Sequence, residues 1–191
     1  MKNYILILCL FVFPLMALQQ AELVEIQKIN PDIIINLIWA TGDNELGLVL
    51  YPDGARCYLH KEAAYALDSV QKELKARGYG LKVLEAFRPL WAQKIVWDRV
   101  GFNPPTENFG RHTLGTAVDV TLVNLKDGSS VALPSQVSRE ADIDFVEFLT
   151  PEHYHNLEIL KQVMERNSFM QHDTEWFHFD YTGWEAFKAL D

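Results

Sequence analysis

The sequence predicts a single α+β domain, in which helices pack on a small, largely antiparallel sheet. Segments with a 3.6-residue apolar period are interspersed with short, turn-bounded segments of alternating apolar residues. No internal repeat, low-complexity tract or Pro/Gly/Ser-rich linker divides the 191 residues. That length is enough for one domain with a real core.

The elements follow in order. Residues 1–21 stand apart from the fold as a signal peptide: Lys2 precedes the apolar run Ile5 to Ala17, too short to span a bilayer, and cleavage is expected after about Ala17 or Ala21. The folded domain is expected over 22–191. Pro31 to Trp39 reads as an Ile-rich strand that ends at the turn signal Thr41-Gly42-Asp43-Asn44. Tyr51-Pro52-Asp53-Gly54 is a second turn. His60 to Arg77 is the clearest helix, with Ala63, Ala64, Leu67, Val70 and Leu74 on one face and Gly78 as its stop. Leu81 to Phe87 alternates as a strand, and Arg88-Pro89 ends it. Leu90 to Val100 reads as a helix and Asn103 to Arg111 as a loop. Ala117 to Val123 reads as a strand, Lys126-Asp127-Gly128 as a turn, and Ser130 to Leu133 as a short return strand. Pro134 to Phe148 reads as loop. Thr150 is the N-cap and Pro151 the first residue of a helix to about Arg166. Phe169, then Trp176 to Tyr181, supply the last strand material.

Composition narrows the function. Hydrophobic residues are 49% and charged residues 23%, an ordinary globular balance. A formal net charge of -9 argues against a nucleic-acid footprint and against a basic lipid-binding patch. Beyond the leader, Cys57 is the only cysteine, so no internal disulfide forms; it reads as a buried small hydrophobe.

Two segments bear chemistry. Gly110 to Asp119 offers His112 and Asp119, with the small residues Gly115 and Ala117 between them. Asp119 lies between Val118 and Val120 in a strand, and burying it without a partner is costly. Glu175-Trp176-Phe177-His178 offers a second imidazole and a second carboxylate. In extended chain, residues three apart point to opposite faces, so a turn at Thr174 to Trp176 is needed to aim both at one centre. Two imidazoles, a ligating carboxylate and a spare one are the parts of a zinc hydrolase site. Arg88, locked by Pro89, is a candidate oxyanion donor. His60, His153, His155 and His172 read as surface residues.

The pattern His112-x-x-Gly115-x-Ala117-x-Asp119, followed by Glu175-Trp176-Phe177-His178, resembles the D-alanyl-D-alanine dipeptidase family, the zinc D,D-peptidases of the vancomycin-resistance type. Arg56-Cys57-Tyr58-Leu59, Gly78-Tyr79-Gly80-Leu81-Lys82 and Ala86-Phe87-Arg88-Pro89 extend the resemblance, which covers about Ile33 to Tyr181. It implies one zinc ion per chain, held by His112, Asp119 and His178. It implies Glu175 as the general base and Arg88 as the group stabilising the tetrahedral intermediate. The expected substrate is D-Ala-D-Ala or a similar small D-dipeptide from cell-wall peptide metabolism, met in the periplasm or after secretion, with no stable membrane insertion. The chain departs from the family at Gly110, where a serine is usual, and at Phe177, where a tryptophan is usual. The family's Phe-Asp pair that grips the dipeptide ammonium falls near Val137-Ser138, which leaves Asp142 and Asp144 as substrate-binding candidates. Two other readings stay open: a D,D-carboxypeptidase trimming peptidoglycan stem peptides, and a catalytically inactive zinc-containing binding module.

Overall fold

The structure is a computed structural model, and it describes residues 22–102, 110–134 and 149–188. The signal segment 1–21, most of the Asn103 to Arg111 loop, and Val137, Ser138, Asp142 and Asp144 lie outside the described residues. No helix among the described residues is long and apolar enough to cross a membrane.

The strands are β1 (Leu23–Glu25), β2 (Ile34–Ile35), β3 (Tyr58–His60), β4 (Tyr79–Glu85), β5 (Ala117–Asn124), β6 (Phe169–Gln171) and β7 (His178–Tyr181). The helices are α1 (Ile26–Ile29), α2 (Lys61–Lys75), α3 (Leu90–Val100) and α4 (Pro151–Arg166). The main sheet has five strands in the order β2-β4-β5-β7-β6; β1 and β3 form a separate antiparallel pair. Only β2 against β4 is parallel, so the α+β, largely antiparallel expectation holds.

The apolar periods decide what faces what. Ala63, Ala64, Leu67, Val70 and Leu74 of α2 are all buried against the sheet. Leu160, Val163 and Met164 of α4 join them. On β5 the alternation sends Val118, Val120 and Leu122 into this core and turns Asp119 and Thr121 the other way. Thr150 caps α4 with Pro151 at its first position, as the sequence indicates. Among the described residues Cys57 is the free thiol, 3% exposed, and burial pushes its pKa up, so it packs as a small hydrophobe.

Three expectations are corrected. Pro31 to Trp39 is not one strand: only Ile34–Ile35 pairs with β4, and Ile38–Ala40 is a 3-10 turn. Asn44 donates to the carbonyls of Ile38 and Leu48, and this local side-chain bonding replaces an extended ladder. Ser130 to Leu133 is not a strand: it makes a single isolated bridge, Ser130 to Val123, and Val131 and Leu133 pack half-buried against the core instead of extending the ladder. His60 is not a surface residue; it is 1% exposed, with its ring 3.9 Å from that of Phe187 and its Nδ1 2.8 Å from Glu62.

Candidate active site

Three neighbouring strands put the chemistry in one row. Asp119 of β5 pairs in register with Glu85 of β4 on one side and His178 of β7 on the other. A bulge between Val83 and Glu85 makes this possible. Without it, Glu85 would continue the alternation of Leu81 and Val83 into the helix-facing core; the extra residue re-aims it to the site.

His112 reaches the same place from the 3-10 turn Arg111–Leu114. That turn is bounded by Gly110 and Gly115, both at positive φ. At Gly115 a Cβ would lie 2.8 Å from Leu23 and 3.1 Å from the His60 backbone nitrogen, so glycine is required by space as well as by conformation. The end of β4 clamps the turn. Arg88 donates its backbone N–H to the His112 carbonyl at 3.1 Å, and His112 Nδ1 donates to the Ala86 carbonyl at 2.7 Å. This fixes the tautomer and leaves His112 Nε2 facing Asp119 Oδ1 at 3.4 Å.

His178 lies between two carboxylates. Its Nδ1 is 2.9 Å from Asp119 Oδ1 and its Nε2 is 3.0 Å from Asp180 Oδ1. Burial favours the neutral ring, yet the bonds to Asp119 and Asp180 outweigh it and push the pKa up to about 10. Burial likewise works against charge on Asp119, but the His112 and His178 imidazoles hold its carboxyl well below the usual range.

One atom from each of His112, Asp119 and His178 lies within 4.8 Å of the others. Tetrahedral zinc with bonds near 2.0–2.1 Å spaces its ligands by roughly 3.3 Å. The 3.4 Å and 2.9 Å separations at Asp119 bracket that value, and the N, N, O donor set suits zinc.

Glu175 and Arg88 complete the arrangement. The turn required ahead of His178 is present, with His178 N–H donating to the Glu175 carbonyl at 3.1 Å. It places Glu175 Oε2 3.8 Å from His178 Nδ1. Arg88 is 8% exposed; its Nη1 donates to Gln93 at 3.0 Å, its Nη2 lies 3.7 Å from Glu85, and its guanidinium stacks 5.4 Å from the Trp39 ring centre. The five residues predicted as metal ligands, base and oxyanion donor all line one cleft of about 280 Å³.

The family model described as "D-ala-D-ala dipeptidase" matches residues 19–104. The D-alanyl-D-alanine dipeptidase of Escherichia coli (strain K12) is 29% identical over 168 residues, covering 83% of this chain and 84% of that protein. The chain is similar to the D-Ala-D-Ala dipeptidase family, by its family model over residues 19–104 and by this relative over most of its length. His112, Asp119 and His178 fit a zinc ion, and the arrangement is that of a zinc metallopeptidase. Two solved structures are also similar. One is an LD-carboxypeptidase, LdcB: 20% identity, 68% of this chain, 61% of that chain, TM-score 0.44. The other is a vancomycin-resistance D,D-pentapeptidase, VanY, in complex with Zn(II): 14% identity, 71% of this chain, 79% of that chain, TM-score 0.45.

Sequence reasoning missed two residues of this site. Asp180 is 4% exposed and holds His178 Nε2; its signal was available, because residues two apart on a strand share a face. Arg111 lies 2.9 Å from Asp180 through its Nε, a contact no sequence spacing announces. His172, exposed as expected, still lines the cleft with its ring 5.5 Å from that of His178. A carboxylate behind a zinc-bound histidine orients it and raises its basicity. Asp180→Asn is therefore expected to weaken zinc affinity by about 10–100-fold. Competition with a chromophoric chelator measures this, and unchanged affinity would remove Asp180 from the role.

Proposed function

We propose that this peptidase hydrolyses D-Ala-D-Ala, or a similar small D-dipeptide, in the bacterial periplasm as part of cell-wall peptide metabolism. The observation that carries the reading is the gathering of His112, Asp119, His178, Glu175 and Arg88 around one cleft of about 280 Å³. That volume accommodates a dipeptide. The similarity to a curated D-alanyl-D-alanine dipeptidase supports the same substrate. The signal-like segment 1–21 supports export.

Zinc, when bound, supplies Lewis acidity and lowers the pKa of water to about 7. The protein does the rest. Glu175 takes a proton from the attacking water and delivers it to the leaving amine as the peptide C–N bond breaks. Arg88 stands ready to donate to the oxygen of the scissile carbonyl as negative charge develops there. Gln93 and Glu85 hold its guanidinium in place, so little reorganisation is needed. Asp180 and the Ala86 carbonyl keep the two imidazoles aimed. A zinc-containing binding module has no chemical need for both Glu175 and Arg88 in the cleft.

The test measures D-alanine release by zinc-loaded protein from D-Ala-D-Ala and from its N-acetylated form. Release from the free dipeptide, with the acylated form at least 100-fold slower on the scale of a lost charged anchor, is expected. Comparable release from the acylated form would replace this reading by a D,D-carboxypeptidase. Release from neither would overturn both. Detection of the mature protein in the cytoplasmic fraction alone would overturn the location.

A further inference from the structure

We propose that Arg111 anchors the terminal carboxylate of the peptide, and so sets specificity for a free C-terminus; this rests on the D,D-peptidase reading above. Every such substrate, dipeptide or stem, ends in a carboxylate one residue beyond the scissile bond. A hydrogen-bond donor group near the metal ligands is therefore needed whichever way the substrate's amino end is handled, and a guanidinium supplies two such donors and a charge at once.

Among the described residues lining the cleft, the arginines are Arg88 and Arg111, and none is a lysine. Arg88 is already engaged by Glu85 and Gln93 and is almost fully buried. Arg111 differs: its side chain is 33% exposed. Its position is fixed, because it opens the turn that carries His112. Its guanidinium carbon lies 4.0 Å from the centre of the Trp184 ring, stacked on that face. Asp180 Oδ2 lies 2.9 Å from Nε, while the other oxygen of the same carboxylate takes His178.

A guanidinium carries five N–H donors in a fixed fork, more than Asp180 can use. With the Nε side turned to Asp180, a second carboxylate can be gripped in bidentate fashion by the η nitrogens. The rest of the cleft disfavours an anion: Glu45, Glu175 and Asp180 also line it. Trp184 and Asp180 thus hold the fork still before substrate arrives, so that less side-chain freedom is lost on binding.

The experiment compares D-Ala-D-Ala with its C-terminal amide, in wild-type protein, Arg111→Gln and Arg111→Lys. Wild type should favour the free acid by about 10–100-fold in kcat/KM, chiefly through KM. Arg111→Gln should lose most of that preference and Arg111→Lys should retain part of it. Calorimetric binding of both ligands to zinc-loaded Glu175→Gln protein, with and without Arg111→Gln, gives the same comparison without turnover. If Arg111 only steadies Asp180 and His178, both substrates fall together and the ratio stays unchanged, which overturns the proposal. A wild-type enzyme that cleaves acid and amide equally also overturns it. Cleavage of neither instead removes the D,D-peptidase reading, and the proposal with it. Should Arg111→Gln fail to fold, Trp184→Ala, which frees the guanidinium, must reduce the acid-to-amide ratio; an unchanged ratio counts against the anchor.

Discussion

Glu175→Gln is expected to lower kcat by about two to four orders of magnitude while zinc stays bound. Glutamine keeps the shape of the side chain and most of its hydrogen bonding. It cannot accept a proton from water or return one to the leaving amine. Zinc retention follows from the geometry, since the ligand atoms belong to His112, Asp119 and His178. Glu175 reaches this group from the turn before β7, with its oxygen 3.8 Å from His178 Nδ1. The check is a rate of D-alanine release beside a zinc determination on the same sample. Turnover within a few-fold of wild type would remove Glu175 from the proton-transfer role. Loss of zinc would instead make it part of the metal's support.

The cluster that fits a metal was legible in the sequence because buried charge in an apolar strand needs a reason. Asp119 between Val118 and Val120 had to have partners, and alternation alone showed that it points away from the neighbours packed under α2. The long helices were legible for a related reason: α2 and α4 carry their apolar face, cap and stop in local sequence. What local sequence cannot show is how separate segments are set against each other. The bulge that turns Glu85 toward Asp119 is decided by pairing with β5, not by the residues Leu84 and Glu85 themselves. The burial of His60 is decided by Phe187, more than a hundred residues away, and by the backbone bond from His60 N–H to the Gly115 carbonyl at 2.7 Å. Ile34 and Ile35 looked like the middle of a strand, but the side chain of Asn44 ties the following chain into a loop that delivers Trp39 to the cleft. Asp180 was visible by strand period, yet its value depends on the His178 ring orientation that only the fold fixes.

Arg88→Met separates stability from catalysis at the other wall of the cleft. Glu85 is 0% exposed, accepts from Tyr51 Oη at 3.2 Å, and has Arg88 as its ion-pair partner at 3.7 Å. Burial raises the Glu85 pKa, and the Arg88 charge works against that rise. Removing the arginine leaves a buried acid without its counter-charge, a change that typically costs about 3–5 kcal/mol. The same change removes the oxyanion donor, for which a loss of about 10²–10³ in kcat is expected. The second substitution distinguishes the two effects. In Arg88→Met/Glu85→Gln the buried charge is gone, and an amide can still accept from Tyr51. Much of the lost stability should return, while kcat should stay low. Urea denaturation of both zinc-loaded variants, read beside D-alanine release, decides this. If Glu85→Gln restored neither stability nor activity, the pair would not be the electrostatic unit described here. If it restored activity as well, Arg88 would act only by neutralising Glu85, and the developing oxyanion would have to be met by another donor.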